Sequence, residues 1–214
     1  MSEFQPIPSQ PDLNYQITEG DKARNLQKAP TAITPLEDVS HIERHWPKPD
    51  EVTLGSEFIN NPDFENADEL AQILESAASE IIPKDQYDRV HIITISFPHD
   101  VGRNGVAKIE AGESVKKMIR DSGKPWETEV NTVERNEKPL TNLVTCSFQP
   151  VFPLKGQTGE VKFQLRSAFP GEPAPRTITK SRKERYKNDT HAKNDLAYQE
   201  DKAWWDEHAF VVVK

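Results

Sequence analysis

In "NADELAQILESAASEIIP" the apolar residues Leu70, Ile73, Leu74, Ala77 and Ile81 recur at helical spacing, which predicts an amphipathic helix. Asn66 offers an N-cap oxygen, Glu69 stands at capping-box spacing, and Pro83 ends the pattern. Beyond it the period changes to two. "DRVHIITISF" alternates and is rich in β-branched residues, so it predicts a strand from about Arg89 to Phe97. "PHDVGRNGV" reads as a turn with Asn104-Gly105 suited to positive φ, "VAKIEA" as a short strand, and "ESVKKMIRD" as a helical turn. "WETEVNTVER" alternates again, and "TNLVTCSFQPVF" and "EVKFQLRSAF" predict two longer strands joined through the hairpin loop "PLKGQTGE". "KAWWDEHAFVVVK" predicts an amphipathic turn and a final strand, and the polar stretch from Arg176 to Lys202 reads as a loop.

Strands and helices do not alternate, which excludes a doubly wound parallel sheet. The expected fold class is α+β, an N-terminal helix followed by a curved, mostly antiparallel sheet of about five strands. Residues 1–40 carry Pro6, Pro8, Pro11, Pro30 and Pro35 among polar neighbours, with no sustained period. They are expected to form an extended or disordered proline-rich arm, with 41–214 as a single domain.

Composition changes this picture in two places. A hydrophobic share of 35% and a mean hydropathy of -0.76 are low for a chain packed throughout. A net charge of -8 argues against general affinity for nucleic-acid backbones or anionic membranes, while leaving room for a local basic patch. No apolar run approaches the ~20 residues that span a bilayer, and "MSEFQPIPSQPDLNY" has neither a basic nor an apolar leader region. The expectation is a soluble cytoplasmic protein without a membrane partner. Cys146 is the single cysteine, so no internal disulfide or cysteine-based zinc site is expected, and its place in "LVTCSF" suits a buried thiol.

The motifs that mark common enzyme classes are missing. The glycines of "GRNGVAKIEAG" have the wrong spacing for a P-loop or dinucleotide fold, and neither His-Glu-x-x-His nor Gly-x-Ser-x-Gly occurs. His41 and His45 form a lone i, i+4 pair cut off by Pro47, so neither a metal nor a cofactor is expected. Dispersed histidine, arginine and hydroxyl groups remain. His91 opens a strand on the side of Ile93 and Ile95, where a core histidine is the bland reading. His208 stands where "AWWDE" hands over to "AFVVV", with Trp204 close enough to wall a pocket. Arg135 precedes a strand entry, and Thr141, Thr145 and Ser147 share one face, which solvated threonines would also explain. Arg166 and Ser167 are neighbours on a strand, so only one faces a site unless the strand bends there.

The stretches "VHIITISFP…VGRNGV", "VERNEKPLTNLVT", "FQLRSAFPGEPAPR" and "WWDEHAFV" resemble a widespread set of bacterial proteins. Their order of elements is similar to that of the barnase- and EndoU-like ribonuclease toxins, over roughly residues 88 to 214. Ser167 stands where the pattern has Thr, and an extra residue lies between Pro139 and Thr141.

The resemblance directs attention to His91, Arg135, Thr145, Ser167 and His208. The dispersed histidine, arginine and hydroxyl groups themselves suit a metal-independent endoribonuclease, with His91 and His208 as base and acid and with Arg135, Thr145, Arg166, Ser167 and Trp204 as the substrate-binding candidates. RNA would track along the basic stretch 176–193. The alternative is a non-catalytic interaction module that binds a protein partner, or itself, through the N-terminal arm. A transferase reading built on Glu200 in "AYQED" lacks the rest of its motif.

Overall fold

The computed structural model describes residues 14–17, 33–34, 39–46, 54–82, 90–152, 161–188 and 196–214. In chain order these hold β1 (Asn14–Ile17), β2 (Ile33–Thr34), α1 (Ser40–Glu43), β3 (Glu57–Phe58), α2 (Ala67–Ile81), β4 (His91–Ser96), β5 (Gly102–Arg103) and β6 (Val106–Lys108). Then follow β7 (Lys116–Arg120), β8 (Thr128–Arg135), β9 (Leu140–Thr141), β10 (Leu143–Val151), β11 (Lys162–Pro170), α3 (Lys180–Asn188), α4 (Leu196–Glu207) and β12 (His208–Val213). The class is α+β. The chain gathers into two compact units, each built from separate stretches of sequence: Met1–Lys48, Glu57–Gly102 and Leu140–Glu172 make the first, Pro49–Ser56, Arg103–Pro139 and Pro173–Lys214 the second.

The first unit holds a five-stranded sheet in the order β1-β4-β10-β11-β2, antiparallel except where β2 joins β11. Of the expected proline-rich arm, 14–17 and 33–34 are these two edge strands, 39 and 40 lie at the start of α1, and the rest lies outside the described residues. Helix α2 forms as its stripe predicts. The Glu69 amide donates to the Asn66 side chain at 2.9 Å, while the Glu69 carboxylate accepts from the Glu65 amide at 2.7 Å, one residue before the expected capping-box partner. Leu70, Leu74, Ala77 and Ile81 are buried in one core with Ile93, Ile95, Val144, Cys146, Phe148, Phe163 and Leu165.

Strand β11 bends midway. Ser147 lies opposite Ser167 but Phe148 lies opposite Leu165, so Arg166 has no residue across from it. This bulge lets Leu165 and Ala168 both enter the core although they are three residues apart. It also puts Arg166 and Ser167 together off the core side, one exposed and one half-buried.

The proline-stiffened turn that follows is a packed corner. Gly171 adopts φ 105, its amide donates to the Leu143 carbonyl at 2.7 Å, and its own carbonyl accepts from the buried Thr145 hydroxyl at 2.6 Å. Pro170 lies so close to Gly102 that a Cβ there would stand 2.3 Å from the proline ring and 2.7 Å from the Glu57 carbonyl oxygen.

The second unit holds a separate four-stranded sheet, β6-β12-β8-β7, in which β12 runs antiparallel to β6 and parallel to β8. Of its two inner strands, β12 is buried on both faces. Phe210 joins Val130, Ile178, Tyr198 and Trp205 in one cluster, while Ala209 and Val211 join Val133 in another. An uninterrupted "AFVVV" is what burial on two faces requires.

Four expectations are corrected here. The strands do not form a single curved sheet, because hydrophobic faces at β4, β10 and β11 and at β8 and β12 close around different cores. "ESVKKMIRD" contains strand β7 and not a helical turn, because pairing with β8 overrides its weak local preference. The stretch Arg176–Lys202 is not a loop throughout, since it contains α3 and most of α4. Gly105 does not have positive φ; a side chain there would strike the Gly55 backbone at 2.4 Å.

The corner gives a direct stability test. Gly102→Ala should lower the urea unfolding free energy by about 1–3 kcal/mol, whereas Gly55→Ala, whose Cβ would meet nothing within 4 Å, should change it by less than about 0.5 kcal/mol.

Candidate functional site

The second unit carries a cleft of about 450 Å³ on the side of its sheet covered by α3 and α4. Its floor is apolar and buried: Val130 from β8, Ile178 from the approach to α3, and Tyr198 and Trp205 from α4. Trp205 stacks on Phe210 at 5.3 Å, and its indole N–H donates to the Pro175 carbonyl at 3.2 Å. This bond ties the proline-rich segment after the corner to α4. Tyr186 of α3 stacks on Tyr198 at 4.0 Å, and the Arg182 guanidinium lies 5.3 Å from the Tyr198 ring while bonding Asp201 at 2.5 Å. Those contacts hold two short helices side by side.

The rim is cationic. Lys117, Lys183, Lys187 and Lys202 line the cleft, against two carboxylates, Glu129 and Asp206. Glu129 is shared by Lys117 at 3.7 Å and Lys183 at 3.9 Å, Lys202 pairs with Asp206, and Lys187 has no carboxylate partner among the described residues. Asn131 adds a polar wall. Its amide N–H donates to the Trp205 carbonyl at 2.9 Å, which leaves its oxygen as an acceptor.

His208 lies beyond the end of α4 and does not line the cleft, though it is two residues from Asp206, which does. The ring is half-buried and lies flat on Trp204, with centroids 3.7 Å apart and planes within 2°. Its Nδ1 donates to the Trp204 carbonyl at 2.7 Å. A carbonyl can only accept, so Nδ1 carries the proton and the neutral ring keeps its lone pair on Nε2. The ring is thereby fixed in position and in tautomer.

The other residues singled out in the sequence are distributed elsewhere. His91 belongs to the first unit, is 3% exposed, and meets Phe163 edge-on at 5.2 Å. His91 and His208 thus stand on different sheets, in different units. Thr145, also in the first unit, is 1% exposed and bonds the Gly171 carbonyl and the Thr94 hydroxyl. Ser167 and Ser147 face each other with hydroxyls 2.8 Å apart, and Arg166 is exposed beside them. Arg135 in the second unit is held as a clamp. Its Nε and NH2 bind both oxygens of Glu113 at 2.7 and 2.9 Å, NH2 also reaches the Lys108 carbonyl at 2.8 Å, and Glu110 lies 3.3 Å away. Cys146 is buried in the first core, where desolvation pushes its thiol well above the usual range.

Lys183 and Lys187 belong to the basic stretch 176–193 that the sequence marks, whereas Lys117, Asn131 and Lys202 lie outside it. The signal was present as Lys183 and Lys187, Tyr198 and Lys202, each four residues apart and therefore on one side of a helix. Reading the segment as a loop hid it.

Among the described residues no group of three His, Cys, Asp or Glu side chains could hold a metal ion, and no helix is long and apolar enough to cross a membrane. Compared with known protein families, curated proteins and solved structures, the chain matches none.

The Arg135 clamp sets an acid limit. Its hydrogen bonds, aided by the Glu110 amide, hold the Glu113 carboxyl at about 2, below the ~4.3 of an unfolded glutamate. The folded state therefore gains stability from this group above about pH 4.3 and loses it as the pH falls towards 2. Glu113→Gln should lower the melting temperature at pH 7 and flatten its fall between pH 5 and 2; parallel curves for the two proteins would contradict the assignment.

Proposed function

We propose that the protein binds single-stranded RNA through its second unit, with a base in the apolar cleft and the backbone along the basic side of α3. The observation that carries this reading is four lysines set around a buried aromatic floor. Apolar and aromatic surface accepts any unpaired base, and cations follow the phosphates.

The acidity of the whole chain does not oppose it. The segments of the first unit contain 10 Lys and Arg against 19 Asp and Glu, whereas those of the second contain 17 against 16. Helix α3 alone has Lys180, Arg182, Lys183, Arg185 and Lys187 against Glu184.

Binding should be measured by fluorescence anisotropy with a labelled single-stranded oligoribonucleotide across a salt series. Lys183→Glu with Lys187→Glu should weaken binding by about tenfold or more and reduce the salt slope by about one for each lysine lost. Unchanged affinity and slope in the double variant would remove the cleft from the binding site.

A second reading, metal-independent cleavage of RNA, draws on His208. A ring stacked on indole, with Nδ1 bound to a carbonyl and Nε2 as the basic nitrogen, is oriented as a general base must be. His208 would act without His91, which belongs to the other unit. In chelator-treated protein, His208→Ala should reduce RNA cleavage by about 10²-fold or more with its thermal melt nearly unchanged. Absence of cleavage by the unsubstituted protein would end this second reading and leave the first standing.

A further inference from the structure

We infer that the cleft takes the end of an RNA strand, a nucleotide bearing a terminal phosphate monoester, in preference to an internal nucleotide. The inference rests on the RNA-binding reading and adds which part of the strand enters.

Its first support is shape. About 450 Å³ lies near the lower end of the range for small-molecule pockets. The floor is closed by Val130, Ile178, Tyr198 and Trp205, each less than 10% exposed. Such a site has room for one nucleotide above a buried floor.

The second support is charge. Four lysines face two carboxylates, an excess of two positive charges. An internal phosphodiester brings one negative charge, whereas a phosphate monoester carries about -1.5 to -2 at neutral pH. Lys187 is the donor with no carboxylate partner among the described residues, so a monoester can bind it without breaking any of the rim's described ion pairs. Lys183 shares Glu129 with Lys117 at more than 3.5 Å, so it can turn toward the same phosphate at little cost. The Asn131 oxygen supplies an acceptor for a base N–H or a ribose hydroxyl.

The test is calorimetric titration of the full chain with three uridine ten-mers: one with a 5′-phosphate, one with a 3′-phosphate, and one with hydroxyls at both ends. At least one phosphorylated strand should bind about tenfold or more tightly than the hydroxyl strand, and uridine monophosphate should compete. The two phosphorylated arms distinguish which end enters. Lys187→Ala, at an exposed position, should abolish that preference while leaving the thermal melt unchanged. Equal affinity for all three strands would overturn the terminal-phosphate inference and leave RNA binding intact. So would a Lys187→Ala loss that is the same for the hydroxyl strand. If no strand binds, the RNA reading itself fails, whether or not uridine monophosphate binds.

Discussion

The second unit depends on one pairing, that of β12 with β8. Parallel neighbours cannot be joined by a tight turn, so the chain between them must make a long excursion. Here that excursion contains β9, β10 and β11 of the other unit and then α3 and α4. Because β12 lies between β6 and β8, it supplies apolar side chains to both faces, Phe210 to one and Ala209 and Val211 to the other. Burial of apolar surface on two sides is the largest favourable contribution such a strand can make. Helix α4 ends at Glu207 and β12 begins at His208, so the pairing also fixes the helix, the Trp204–His208 stack and the Trp205 floor of the cleft.

In the first unit the comparable constraint is the corner after β11. The bulge at Arg166 keeps two core residues in place, and Gly171 turns the chain back under the Thr145 hydroxyl. Three prolines around that glycine reduce the conformational freedom lost on folding. The stiffness serves to hold a backbone geometry that would otherwise bury an unsatisfied carbonyl. The proline-rich turn after β11 is thus a joint in the frame, and the bulge before it leaves Arg166 exposed.

How much of this was legible in the sequence follows from where each element gets its stability. Helix α2 carries its own instructions in Asn66, its stripe and Pro83, and β4, β8, β10, β11 and β12 announce themselves by alternation or by apolar runs. Strand β7, "KKMIR", has no such pattern, since only its pairing with β8 makes it a strand. Helix α3, "KSRKERYKN", contains good helix formers but no apolar stripe. Its order comes from contacts to α4 through Tyr186 and Arg182, which no local window can display. The cleft was hidden for the same reason, being assembled from segments 117, 128–131, 177–187 and 198–206. His208 was legible because its surroundings are adjacent in sequence. That His91 belongs to a different sheet was not, since adjacency on a sheet depends on which core each strand closes.

The interleaving of the two units has a consequence during synthesis. Every strand of the five-stranded sheet has left the ribosome once Pro170 has emerged, so that layer can close while translation continues. By then β6, β7 and β8 have been exposed for longer, yet the strand that must lie between β6 and β8 has not been made. Until it arrives, Val130 and Val133 face water on opposite sides of an incomplete layer. The older segments must wait for the younger one, and the polypeptide matures out of the order in which it was written.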